Sequence, residues 1–206
     1  MKSATETAIG AASKAAFHGG LREAGFRRQA NYLHRQSGGL IHAFNFQASR
    51  GSAVPRGEFT VNLLVTSEFI YRCWAGRVPA NPATMFFPIQ QRIGHVMPQR
   101  EDWWWPVDGD IDSLCREVSD ALVTYGLPYF DTFPSTDALL EQLRRGWQTP
   151  RGLMAAPHLV HAMLAKEKGL DDEAAQQLRY ALNKAGESSF RETVLRIAER
   201  LQLTLE

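Results

Sequence analysis

Two short stretches alternate apolar and polar residues with a period of two, and this pattern constrains the fold more than anything else in the chain. In Leu40-Ile41-His42-Ala43-Phe44-Asn45-Phe46-Gln47, the rings of Phe44 and Phe46 fall on one side and the amides of Asn45 and Gln47 on the other. In Phe59-Thr60-Val61-Asn62-Leu63-Leu64-Val65, residues Phe59, Val61, Leu63 and Val65 share a side, while Thr60, Asn62 and Thr66 take the opposite one. Neighbouring strands of this kind predict an antiparallel sheet with one buried face and one wet face. The wet face is the candidate working surface.

The flanking residues extend this plan. Residues 26–36 predict a further strand, and Ser37-Gly38-Gly39 is a hairpin signal joining it to the first stretch. A two-residue loop puts Leu33 with Phe44 and Phe46, and Tyr32 with Asn45 and Gln47; a three-residue loop reverses that alignment. Residues 89–97 predict a fourth strand with Ile93 inward, after a long irregular loop over 68–91 marked by Pro79, Pro82 and Pro88. Trp103-Trp104-Trp105 cannot all face one way, so at least one indole points outward, either packed under the next helix or free to anchor a partner.

Helices are predicted over 4–24 (with Gly19-Gly20 as an earlier break), over 111–125 capped by Asp110 and stopped at Gly126, and from Ser135 to 145. Behind a Pro- and Gly-containing stretch at 148–157, helical patterns run over 158–168, 172–185 and 190–203, the last opened by a Ser189-x-x-Glu192 capping box. The fold class is therefore α+β: an antiparallel sheet of about four strands with helices packed on one face, plus a C-terminal helical hairpin or three-helix unit. The predicted domains are 1–147 and a C-terminal extension, 148–206, packed on the first.

Composition fits a globular chain, with 44% hydrophobic and 22% charged residues in 206. Two cysteines make no disulfide framework, no secretory leader pattern opens the chain, and no apolar run reaches the roughly 20 residues of a membrane helix. These features predict a cytoplasmic protein with no membrane partner. Residues 1–100 carry 12 basic against 4 acidic side chains and residues 101–206 carry 11 against 18. Either the halves complement each other, or a basic face meets an anionic partner. The arginines are scattered and no RNA-binding aromatic signature accompanies them, which disfavours nucleic acid.

Leu21-Arg22-Glu23-Ala24-Gly25-Phe26-Arg27-Arg28, Phe44-Asn45-Phe46-Gln47-Ala48-Ser49-Arg50 and Phe59-Thr60-Val61-Asn62-Leu63 together resemble the bacterial domain-of-unknown-function 4304 family. Arg92-Ile93-Gly94, Trp103-Trp104 and Tyr125-Gly126-Leu127-Pro128 fit the same pattern, so the resemblance covers about 21–145. It implies an α+β domain with an antiparallel sheet, and it implies no established activity.

Chemistry-bearing motifs are scarce. His158 and His161 share a helix face, but Ala165 stands where a further zinc ligand would be needed. Asp108-Gly109-Asp110-Ile111-Asp112 starts like a calcium loop yet has Ser113 where Gly is required and Ser119 where a bidentate Glu is required. No nucleophile elbow, Walker loop or dinucleotide fingerprint occurs, and Cys73 has no nameable base. No catalytic residue, metal ligand or cofactor is therefore assigned. The candidate binding residues are Asn45, Gln47, Ser49 and Asn62, with Arg50 and Arg92 as charged neighbours, since amides both donate and accept. The partner is another protein or a small polar ligand; the competing possibility is an enzyme of unknown reaction type on the same face.

Overall fold

The computed structural model describes residues 3–49, 57–77, 87–98, 101–147 and 156–205. By contacts, the chain divides into two compact units: Met1–Gln36, Ile41–Leu64 and Gln91–Thr132 form the first, and Ser37–Leu40, Val65–Gln90 and Phe133–Glu206 the second.

The first unit carries most of a six-stranded sheet with β1 (Arg27–Gln29), β2 (Tyr32–Ser37), β3 (Leu40–Ala48), β4 (Glu58–Thr66) and β5 (Ile89–Arg92) side by side in that order. A short β6 (Trp105–Pro106) pairs antiparallel with the start of β4, Phe59 opposite Trp105. Two strands more than the four expected arise from local breaks. Residues 26–36 fold back on themselves at Ala30-Asn31, where Ala30 takes φ +50°, and the triple-Trp segment adds the short strand. The fourth predicted strand stops at Arg92, and Ile93–His95 make one 3₁₀ turn, with Ile93 fully buried as expected.

The β2–β3 loop has two residues, Gly38 and Gly39, both at positive φ (+56° and +80°), the conformation hairpin twist demands and Gly supplies without strain. That length settles the alignment. Leu33, Phe44 and Phe46 are all buried on one face, and Tyr32 lies on the side of Asn45.

Aromatic packing builds the core of this face. Phe44 meets Phe26 at 5.1 Å and Phe130 at 5.0 Å between ring centroids, and buried His42 stacks on Phe130 at 4.8 Å. Arg35 Nε donates to His42 Nδ1 (3.3 Å). Helix α1 (Ala4–Ala16), opened by a Ser3–Glu6 capping box, packs on α3 (Ile111–Ala121), which Asp110 caps. Gly126 does not end this second helical run as expected. The chain passes through π-helical Leu122–Gly126 directly into α4 (Leu127–Asp131). Glycine is needed there for space, because a Cβ would sit 2.5 Å from a Phe44 ring carbon.

The second unit is mainly helical. Its first helix, α2 (Glu68–Ala75), falls where an irregular loop was expected. Ser67 Oγ accepts from the Ile70 N–H, and Gly76 closes the helix at φ +73°. The remainder of that expected loop, 78–86, lies outside the described residues. Helices α5 (Thr136–Arg144), α6 (Ala156–Glu167), α7 (Asp171–Ala185) and α8 (Phe190–Arg200) follow, with α6 packed against α2, α5 and α7. The apolar stripes of α5 (Leu139, Leu140, Leu143) and of α8 and its end (Val194, Ile197, Ala198, Leu201) are all buried. The Ser189 capping box does not form: Ser189 has helical backbone angles and its side chain caps nothing. Residues 148–155 of the expected linker lie outside the described residues, and Pro157 belongs to α6.

Candidate functional site

The second face of the sheet is less wet than its alternation suggested. Ile41, Ala43, Thr60, Leu64 and Thr66 on that side are buried, while Asn45, Gln47, Glu58 and Asn62 are left half-open. Two causes are visible in the residues. Ile41, Ala43 and Leu64 are apolar, and the Thr60 hydroxyl is satisfied by donating to the Trp103 carbonyl at 2.8 Å.

Register places the three amides together. The Ser49 N–H donates to the Glu58 carbonyl (2.9 Å), which sets Asn45 opposite Asn62 on β4 and Gln47 opposite Thr60. Asn31 pins β3 from its other side. Its carbonyl accepts from the Phe46 N–H at 3.0 Å, and its side-chain Nδ2 donates to the Phe46 carbonyl at 3.0 Å. That pairing puts Tyr32 opposite Asn45, so Tyr32, Asn45 and Asn62 form one row across three strands. Continuing the β4–β6 register by one residue sets Trp104 opposite Thr60, on the amide side, while Trp105 turns to the core and stacks on Phe59 at 5.8 Å.

The hydrogen bonds within the row fix which way each amide points. Asn62 Nδ2 donates to Gln47 Oε1 (2.8 Å) and to Asn45 Oδ1 (3.3 Å). Both hydrogens of one NH₂ group are thus spent, and two carbonyl oxygens converge on it. The NH₂ groups of Asn45 and Gln47 must then face away, as must Asn62 Oδ1. All three residues are half-buried, so these groups meet solvent. Tyr32, also half-buried, has its phenol pKa raised by burial, so it remains a hydroxyl at neutral pH.

Three charged side chains stand on this face by register: exposed Arg27 opposite His34, half-buried Glu58 on β4, and Arg92 on β5. Strand alternation turns Arg92 away from the core, opposite to Ile89 and Gln91. Its guanidinium pairs with the Asp102 carboxylate and lies over the Trp104 ring at 4.8 Å from the centroid. Of the candidates read from the sequence, Asn45, Gln47 and Asn62 are brought into one cluster. Ser49 serves the β3–β4 ladder through its backbone, and Arg92 joins the face through Trp104. Arg50 lies outside the described residues. Tyr32 was expected on this face only for a two-residue hairpin loop; Trp104 was not assigned to it, because its placement depends on pairing between strands far apart in sequence.

Other chemistry-bearing groups have structural employment. His161 Nε2–H donates to Glu173 Oε1 at 2.6 Å, and Arg144 donates to both Glu173 oxygens at 2.8 and 2.6 Å. These contacts hold the Glu173 carboxyl down at about 2, with Arg144 as the main cause. His158 Nδ1–H donates to Gln177 Oε1 at 2.9 Å. No group of three or more His, Cys, Asp or Glu among the described residues could hold a metal. Burial drives the Cys73 thiol up to about 11 and raises Cys115 as well, which disfavours a thiolate nucleophile at either place.

A cavity of about 550 Å³ in the second unit is lined by Phe69, Arg72, Cys73, Lys166, Glu167 and Arg200, among others. Its cations sit in the last turns of α2, α6 and α8, where they answer helix-end carbonyls and dipoles. Arg200 Nη1 donates to the Cys73 carbonyl at 2.8 Å and also to that of Trp74. With about half a negative charge per helix end plus Glu167, little positive field is left over. A cavity of about 360 Å³ beside α3, lined by Met97, Glu117, Asp120 and Tyr125 among others, contains none of the amides.

The family model described as a domain of unknown function (DUF4304) matches residues 17–132, which includes the whole amide row and Trp104. No curated protein and no solved structure matches the chain. Among the described residues, no helix is long and apolar enough to cross a membrane.

Proposed function

We propose, from the premise that this chain belongs to the DUF4304 family, that it is a non-catalytic binding module whose ligand sits on the second face of the sheet. One observation carries this. The Asn62 NH₂ group donates to Asn45 Oδ1 and to Gln47 Oε1 and leaves the NH₂ groups of those two residues turned outward. Donors fixed by a neighbour bind without losing rotamer freedom, which is the main saving a preorganised site offers. A general acid or base is missing from the row. Tyr32 is its only titratable member, and burial moves that phenol further from neutrality.

The test uses the full chain labelled with ¹⁵N, in which the side-chain NH₂ signals of Asn45 and Gln47 are followed during a screen of neutral and charged small ligands. Saturable shifts at both signals, lost in Asn45→Ala and Gln47→Ala proteins that melt like the parent, support the module. Ligands that bind without moving either signal would place the site elsewhere and refute it.

A further inference from the structure

The cavity of the second unit also holds unspent bonding capacity, and the amide row plays no part in it. We infer that this cavity binds a small zwitterion with an apolar body, the chemistry of a free amino acid or dipeptide carrying a large apolar side chain. Arg72 would take its carboxylate and Glu167 its ammonium group.

Of the cations that line the cavity, Arg200 and Lys166 are spent on the protein itself. Arg200 Nη1 donates to the Cys73 carbonyl at 2.8 Å, and Gly76 leaves its guanidinium room, since a Cβ there would sit 2.8 Å from Nη2. Lys166 pairs with Asp171 at 2.8 Å. Arg72 and Glu167 line the same cavity, and among the described residues neither side chain has a hydrogen bond or an ion pair. Both are exposed, so they stand at its open side. Partial desolvation raises the Glu167 carboxyl from its ordinary range, and Lys168 and Arg72 draw it back without bonding to it. Beyond its burial, the Cys73 thiol is raised by Glu167 and lowered by Arg72 and Arg200, so these charges gather around one part of the wall.

Opposite unspent charges on one wall select a ligand by sign. A ligand with net charge gains little here, because helix-end dipoles and Glu167 together answer the cations. A phosphate would be set against the Glu167 carboxylate, and a bare amine against the Arg72 guanidinium. A zwitterion needs no net field, since each of its ends has its own partner. A guanidinium grips a carboxylate through two parallel N–H donors, and a carboxylate accepts from an ammonium group. Arg72 and Glu167 are close enough to act on each other yet are not bonded, so a ligand entering between them breaks no ion pair.

The rest of the lining suits the apolar body. Phe69 is half-buried, Leu201 and Cys73 are buried, and the thiol is neutral because burial drives it up to about 11. A volume of about 550 Å³ falls within the roughly 300–1,000 Å³ of small-ligand sites, in which apolar walls carry a few placed polar groups. A ring or branched chain laid on Phe69 and Leu201 removes apolar surface from water, a contribution that glycine, with the same two charges, lacks.

The experiment titrates the full-length protein by calorimetry with phenylalanine, phenylalanyl-leucine, glycine, phenylpropanoate and phenethylamine, while backbone amide NMR of α2, α6 and α8 locates the binding. The expected result is that phenylalanine or the dipeptide shifts signals around Arg72 and Glu167. The better of the two should bind about tenfold tighter than glycine or either single-charge analogue, and which one it is identifies the source. Glu167→Gln should weaken that ligand about tenfold and leave phenylpropanoate no weaker, whereas Arg72→Gln should weaken it alike and leave phenethylamine no weaker. Both side chains are exposed, so both variants should melt like the parent. Phenylpropanoate or phenethylamine binding as tightly as the zwitterions would overturn the inference, leaving a site for one charge only. Shifts confined to other elements, or no binding by any probe, would overturn it too. The Asn45 and Gln47 side-chain signals, read in the same spectra, keep the fate of the amide row separate.

Discussion

Two polar clusters in this protein are each laid across neighbouring elements, and they end in opposite states. In the second unit, His161, Glu173 and Arg144 tie α6, α7 and α5 together, and every charged group has a partner at 2.6–2.8 Å. In the first unit, Asn45, Gln47 and Asn62 tie β3 to β4, and hydrogen-bonding capacity is left over. The charged cluster is closed and reads as structure. The neutral one is open on one side, although its members are held as firmly. Unspent capacity on a rigid support, rather than charge or burial alone, is what marks a candidate site.

The largest expected effect lies beneath the open cluster. Phe44→Ala removes a ring packed on Phe26 and Phe130, and should cost about 3–5 kcal/mol in denaturant unfolding. A comparable loss from any single amide change would break the comparison, since it would mean that the row is packed core.

Next comes the closed cluster. Glu173→Gln removes the charge that Arg144 and His161 share, and should cost about 1–3 kcal/mol at neutral pH. The folded carboxyl titrates near 2 against an ordinary 4.5, so its stabilisation is present above pH 4.5 and is lost as pH falls through about 2. The parent should therefore lose stability over that interval relative to the variant. Parallel curves for the two proteins between those pH values would show that Glu173 is not answered by its partners.

Asn62→Ala comes third. It frees both amide oxygens and should cost about 0.5–1.5 kcal/mol, the net worth of ordinary hydrogen bonds. It should also loosen ligand binding, because Asn45 and Gln47 then rotate freely. Full binding retained in that variant would show that the outward orientation of their NH₂ groups does not depend on Asn62.

The smallest effect sharpens the contrast most. Asn45→Ala should change thermal unfolding by less than about 0.5 kcal/mol, as surface substitutions do, while weakening binding clearly. A clear stability loss with binding kept would move the amide row into the same class as Glu173.

Much of this was readable from local pattern. Alternation at period two placed Phe44, Phe46, Phe59, Val61, Leu63 and Val65 inside, and Ser37-Gly38-Gly39 announced the hairpin. The helix opened by Ser135 was equally legible, and its cap forms as expected. Helix α2 had its signals too, Ser67 before it and Gly76 after it, yet Phe69, Tyr71, Cys73 and Trp74 are weak helix formers, and neighbouring prolines suggested a loop. Gly126 is the converse case. A stop signal in sequence became a packing requirement once Phe44 stood across from it.

The sequence by itself determined which residues face the core of the sheet and that Asn45, Gln47 and Asn62 share the other side, because side-chain direction along a strand depends only on counting residues. Tertiary structure decided that one NH₂ group would take two oxygens, that Ile41, Ala43 and Leu64 would close part of the second face, and that Trp104 would stand on it. Those outcomes depend on the register between strands that are distant in the chain. Register is set by the sum of pairing, turn length and packing rather than by any one segment.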